Sequence, residues 1–352
     1  MVQTLQTLSV EDNGVQLAYV DSGIPSPDSP FGSDYITLFA IHGFVFSAHV
    51  FEKLATVAKS SGVRLVAIMR RDYPGSTPIP PADVESISTG TDDDRAAYLR
   101  ARGIEIAAFV DKFVETHNVP PPTASGKGGG FAILGWSMGS AFANAAVVNA
   151  DALNEAAQAR FSRYMRSLIY LDAPYVALGI PKAEKFWTPI LDESIPLHLR
   201  VPFFANWITS YFAHGDFSTR DPDVVEYIVP SPTRVPSIYH MNDAQREAIV
   251  CGESTWTSEV PFMVFCEPQF YATYQRAAFD EAVRDRFPNM KVWALVGDCG
   301  ASFAFTALFK MQEEDEACGG GNINFRIIKG GNHFMHWDDP EDTLKVILDT
   351  MA

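Results

Sequence analysis

One stretch constrains the fold more than any other. Phe131-Ala132-Ile133-Leu134-Gly135 runs through Trp136-Ser137-Met138-Gly139 into Ser140-Ala141-Phe142-Ala143-Asn144-Ala145-Ala146-Val147-Val148. The first run is short, apolar and preceded by glycines, which reads as a buried strand; the small residues that follow read as a buried helix. A buried strand that turns straight into a buried helix is the unit of an α/β fold with a parallel sheet. A lone serine sits at the turn. Held there, it takes a strained backbone conformation, and side chains two positions either side would collide with the turn. Gly135 and Gly139 remove those collisions. The hydroxyl then stands at a helix N-terminus, where the Met138 N–H can face a developing negative charge. The pattern alone is weak; its setting gives it weight.

The rest of the chain repeats the strand–helix rhythm. Asn13-Gly14 between two strand-like runs predicts a hairpin with a tight turn. Strands are expected at 34–43, 63–69, 131–135, 166–174, 291–298 and 322–330. Helices are expected at 50–62, 138–149, 301–312 and 340–352. The clearest helix carries Ile106, Phe109, Val110, Phe113 and Val114 on one stripe, with Thr91 as its cap and Asp92, Asp93 and Asp94 in its first turn. The alternation breaks between 175 and 288, where aromatics and prolines gather. The expected organisation is one α/β core, residues 1–174 and 289–352, interrupted by an inserted helical region, 175–288.

Composition excludes several classes. The 352 residues are 47% hydrophobic and 20% charged, with net charge −16 and no basic run, so neither nucleic acid nor an anionic membrane is an expected partner. No apolar stretch is long enough to span a bilayer, and the N-terminal residues lack the features of a secretory signal. Cys251, Cys266, Cys299 and Cys318 are scattered without a CxxC pair, which predicts reduced thiols and a cytoplasmic location. There is no HExxH and no His/Cys cluster at ligand spacing, so no metal and no organic cofactor is expected.

A serine hydroxyl needs a base. Among eight histidines, His333 follows the last expected strand in a loop opened by Gly330-Gly331-Asn332. It is the preferred base, with His336 one turn on as the alternative. The oxyanion of a tetrahedral intermediate needs donors. His42-Gly43 follows an early strand, so the Phe44 N–H is the expected second donor beside that of Met138, with His42 as a structural hydrogen-bonding residue beneath the loop.

Four motifs in order resemble the α/β-hydrolase fold in its lid-bearing form. They are His42-Gly43, Asp72-Tyr73-Pro74-Gly75-Ser76, Gly135-Trp136-Ser137-Met138-Gly139, and Gly331-Asn332-His333 followed by Asp339-Pro340-Glu341. The resemblance implies a central, mostly parallel sheet flanked by helices, a serine nucleophile, a histidine base and an orienting Asp or Glu. It places that acid after the strand at 291–297, commonly three residues past a glycine. Here that position is Gly300, and the nearest acid is Asp298, the first choice. Asp172, after the preceding strand, is the alternative; another carboxylate, or none, is left open.

In the insertion, Phe186, Trp187, Phe203, Phe204, Trp207, Tyr211 and Phe212 must pack on one another. A face turned to Ser137 would still be apolar. Trp136, Phe203, Phe204 and Trp207 are therefore the expected substrate-binding residues. The expected activity is hydrolysis of an ester, lactone or thioester of an apolar or aromatic small molecule through an acyl-enzyme. The alternatives are acyl transfer or lyase chemistry on the same triad, and a small-molecule-binding protein on a hydrolase scaffold.

Overall fold

The computed structural model describes residues 4–10 and 14–351. Its frame is an eight-stranded sheet: β1 (Gln6–Ser9), β2 (Gln16–Asp21), β3 (Ile36–Ile41), β4 (Val63–Ile68), β5 (Phe131–Trp136), β6 (Met165–Leu171), β7 (Lys291–Gly297) and β8 (Ile323–Ile328). The spatial order is β1-β2-β4-β3-β5-β6-β7-β8. β1 and β2 pair antiparallel, as does β2 with β4, and every later pair is parallel. β3 to β6 are buried along their whole length, which is why these runs read as continuously apolar and not alternating.

The expected strands are present. β6 stops at Leu171, before the expected 174, because Asp172 takes a left-handed φ of 50° that no strand can continue through. Asn13 lies outside the described residues; Gly14 has φ 90°, and β1 and β2 pair from Gln6↔Tyr19 to Ser9↔Gln16. The long helix spans Asp92–Thr116, with Thr91 and Asp94 closing a reciprocal capping box. Among the helices outside residues 175–288, two of the longer ones were not anticipated. Pro81–Thr89 starts at a proline in its first turn, a position that needs no N–H partner. Glu155–Tyr164 is capped by the Asn154 side chain.

The strand order reverses between β3 and β5: the chain moves one way to β4 and then the other way through β5, β6, β7 and β8. A crevice opens at the carboxyl ends of the strands at such a switch point. The loops after β3 and β5 border it. Between β6 and β7 the described residues hold no strand. Their longer helices are Leu197–Ile208 and Glu267–Phe279. This segment is fastened to the loop after β3 by the Phe46↔Val250 bridge and by Ser47 N–H donating to the Ile249 carbonyl at 2.8 Å.

Candidate active site

Ser137 follows β5 with φ 54°, in the left-handed region that ordinary side chains rarely adopt. The glycines around it are sterically required. A Cβ on Gly135 would lie 2.4 Å from Ser140 Cα, and one on Gly139 would lie 2.1 Å from the Ile41 carbonyl oxygen. Gly43, in the loop after β3, is held to glycine from the other side, because a Cβ there would meet Ser137 Cβ at 2.7 Å. Met138 precedes the helix Gly139–Val148, whose first N–H groups have no partner within the helix.

His333 lies in the loop after β8 and is 2% exposed. Its Nδ1 is 2.6 Å from Asp172 Oδ2, and Asp172 is fully buried. A carboxylate only accepts, so Nδ1 carries a proton, and the tautomer this selects for a neutral imidazole has its lone pair on Nε2. The other oxygen, Asp172 Oδ1, accepts the Gly297 N–H at 3.1 Å. Trp136 supports the imidazole from behind: its Nε1–H donates to the His333 carbonyl at 2.9 Å, and the two rings lie 4.9 Å apart.

The structure therefore departs from the first-choice acid. Asp298 does not meet the imidazole. Its Oδ1 accepts the Gly330 N–H at 2.5 Å and the Cys299 thiol at 3.4 Å, tying the loop after β7 to the loop after β8. The loop bearing His333 is also far from loose. Asn332 donates to the Thr209 carbonyl at 2.9 Å and to Ser237 Oγ at 2.8 Å, and accepts from the Phe334 N–H at 2.9 Å. His336, the alternative base, is fully buried among Phe51, Trp136 and Phe334, with no hydrogen-bond partner at either nitrogen among the described residues. Burial, reinforced by His333, holds its pKa well below the usual histidine value.

His42 is fully buried beneath the loop. The Arg70 N–H donates to its Nε2 at 3.0 Å, which leaves the proton on Nδ1 to be given to the Gly43 carbonyl, also at 3.0 Å. Burial first, then the Arg70 charge, keep this imidazole neutral by pushing its pKa well down.

A cavity of about 480 Å³ opens over Ser137. Phe44 and Met138 line it from the core, with Phe303; Tyr175, Phe186 and Phe204 line it from the segment between β6 and β7. Of the four expected substrate-binding residues only Phe204 is among its walls. Trp136 is fully buried behind His333, bonded to its carbonyl, and is not among the cavity walls. Trp207 packs inward against Trp187 and Phe212 and donates to the Ile228 carbonyl at 2.9 Å. Phe203, one position before Phe204 on the same helix, turns outward and is 53% exposed. Adjacent helix positions cannot share a face, a distinction that the aromatic count over 186–217 hides. Tyr175, Phe186 and Phe303 went unread as cavity residues because nothing local marks which side of their segment faces the serine. Among the described residues no cluster of His, Cys, Asp and Glu is arranged to hold a metal, and no helix is long and apolar enough to cross a membrane.

Comparison with known proteins agrees with this frame. The model of the alpha/beta hydrolase family matches residues 38–346. No curated protein sequence matches the chain. Among solved structures, an epoxide hydrolase from Solanum tuberosum superposes with TM-score 0.53 at 13% identity over 98% of both chains. A bromoperoxidase from Bacillus anthracis gives 0.52 at 14% over 99% of both. An esterase from Rhodococcus sp. gives 0.51 at 14% over the whole of both. At such identities these likenesses speak to the fold, and the reaction has to be argued from the site.

Proposed function

For a chain that belongs to the alpha/beta hydrolase family, we propose a serine hydrolase that cleaves a carboxylic ester, thioester or lactone of an apolar small molecule. The observation that carries this reading is the buried 2.6 Å contact between His333 Nδ1 and Asp172 Oδ2, in the crevice where Ser137 lines an apolar cavity. An acid against the imidazole supports an enzyme over a small-molecule-binding protein on the same scaffold.

In the proposed reaction His333 Nε2 takes the Ser137 proton as Oγ attacks the carbonyl carbon. The new oxyanion rests on the N–H groups of Phe44 and Met138. Asp172 holds the imidazole in one tautomer and stabilises it when charged. His333 then gives its proton to the leaving oxygen or sulfur, and the acyl group stays on Ser137. Water, deprotonated by His333, attacks the acyl-enzyme and releases the acid and free Ser137. The segment between β6 and β7 acts as a lid: it supplies the apolar walls and excludes water from the acyl group. The cavity falls within the range of about 300–1,000 Å³ usual for small ligands, and its aromatic walls favour an apolar acyl group. The four free cysteines fit an enzyme of a reducing compartment.

The test is intact-mass spectrometry after a fluorophosphonate probe, beside turnover of p-nitrophenyl esters of increasing acyl length. One adduct is expected on the wild type, absent from Ser137→Ala and formed far more slowly by His333→Ala. An unlabelled wild type that turns over none of the esters would overturn the proposal.

A further inference from the structure

Glu259 belongs to the insertion, yet it sits inside the core. It is 6% exposed. Its carboxylate receives both arms of the Arg70 guanidinium, Nη1 to Oε1 at 2.8 Å and Nη2 to Oε2 at 2.7 Å. Arg70 follows β4 and also holds the loop after β3: Nη2 donates to the Gly43 carbonyl at 2.9 Å and Nε to the His42 carbonyl at 3.2 Å, while Nη2 lies 3.2 Å from the Tyr73 hydroxyl as well. The Tyr73 hydroxyl completes the cluster. It donates to Glu259 Oε2 at 3.0 Å and accepts the Val45 N–H at 3.1 Å.

These contacts bracket one residue. Gly43 C=O and Phe44 N–H belong to the same peptide plane and point in opposite directions across it. The Gly43 carbonyl is fixed by two donors, His42 Nδ1–H and Arg70 Nη2–H, so the direction of the Phe44 N–H is fixed as well. On the far side of Phe44, Val45 has φ 68°, a conformation that a β-branched residue keeps only when its surroundings impose it. Its N–H is held by Tyr73, and its carbonyl accepts the Cys251 N–H of the insertion at 2.7 Å.

We infer that Glu259 is a positioning residue for the oxyanion site: through Arg70 and Tyr73 it locks the Gly43–Val45 turn so that the Phe44 N–H faces the reacting carbonyl. The inference rests on the serine-hydrolase reading above. It gives the insertion a second task. Besides covering the cavity, the insertion supplies the anion without which Arg70 would be a buried, unneutralised charge and the turn would relax.

The test compares the wild type with Glu259→Gln, with the double variant Arg70→Met/Glu259→Leu, and with Asp21→Asn. The apolar double removes the clamp without leaving a buried charge unpaired, a replacement that folds well in other proteins. Asp21→Asn breaks another buried pair, Arg64–Asp21 at 2.6 Å, away from the crevice, and serves as the control for stability. In both clamp variants kcat for an ester should fall roughly 10- to 100-fold with KM within about threefold. Affinity for a trifluoromethyl ketone, which forms a tetrahedral adduct on Ser137, should fall by the same factor. Affinity for the product acid should stay put. Asp21→Asn should lower Tm with kcat unchanged. Unchanged kcat in both clamp variants would overturn the inference alone, as would a fall in kcat accompanied by a rise in KM and a matching loss of product affinity. A wild type that neither labels nor turns over an ester would overturn the reading of the site and this inference with it.

Discussion

The loops after β6 and β7 each begin with an aspartate, and the two have different surroundings. Asp172 is fully buried with φ 50°; its amide donates to the Leu295 carbonyl at 2.7 Å, and its carboxylate is shared between Gly297 N–H and His333 Nδ1. Asp298 is half-buried, its amide donates to the Ile328 carbonyl at 3.1 Å, and its carboxylate closes the turn at Gly330. One strand's displacement in the sheet separates a carboxylate that meets the imidazole from one that ties two loops together. Order along the chain fits both, since each lies between Ser137 and His333. The side of the crevice on which each strand ends decides between them.

The sharpest way to break this comparison is Asp172→Asn. It leaves the shape intact and removes the acceptor that fixes the His333 tautomer, so kcat should fall by roughly three to four orders of magnitude. Rates of ester turnover decide it: a loss no larger than that of Asp298→Asn would mean the assignment is wrong.

A smaller effect is expected from moving the acid. A Cβ on Gly300 would lie 3.2 Å from Asp172 Oδ2, so a carboxylate at 300 could reach the vacated place. The left-handed backbone at 172 suits glycine. Asp172→Gly/Gly300→Asp should regain about tenfold or more in kcat over Asp172→Gly alone. No recovery, in a double variant as stable as the single one, would show that the acid's direction of approach matters as much as its presence.

Smallest of all is Asp298→Asn. Losing a charge-assisted bond to Gly330 should lower stability by about 1 kcal/mol and leave kcat within about threefold, read by denaturant unfolding and ester turnover. A second readout follows from Cys299, whose thiol pKa burial and then the Asp298 charge push up to about 11. Removing the negative charge lowers that pKa and raises the thiolate fraction, so Cys299 should alkylate faster at mildly alkaline pH. Peptide mapping after iodoacetamide would show it, and an unchanged rate would count against Asp298 as the charge facing that thiol.

Much of the frame was legible beforehand. The eight strands announced themselves because the buried ones are apolar on both faces, and the long helix because Thr91 and the aspartates after it signal a start locally. The glycines around Ser137 read as collision relief, and the close approaches that a Cβ at Gly135 or Gly139 would make are of that kind. The reading failed where the answer depended on orientation. Phe203 and Phe204 are neighbours with opposite fates. Trp136, beside the serine in sequence, turns away from the cavity because it is the last residue of the buried strand, whereas Ser137 stands on the left-handed turn that follows. The Gly330-Gly331-Asn332 loop is pinned by Asp298, Thr209 and Ser237, all of them distant in sequence.

What the chain determines by itself is therefore what neighbours in sequence can determine: strands by their apolar runs, helices by their caps, and a serine turn by the glycines that make it sterically possible. Tertiary structure decided which aspartate meets His333, since sheet order and register place Asp172 beside the imidazole from 161 positions away. It decided equally that Glu259 should neutralise Arg70 across 189 positions. No periodicity or local spacing encodes such a pairing, because a buried charge selects its partner by proximity in the folded core, where the low dielectric makes an unpaired ion costly.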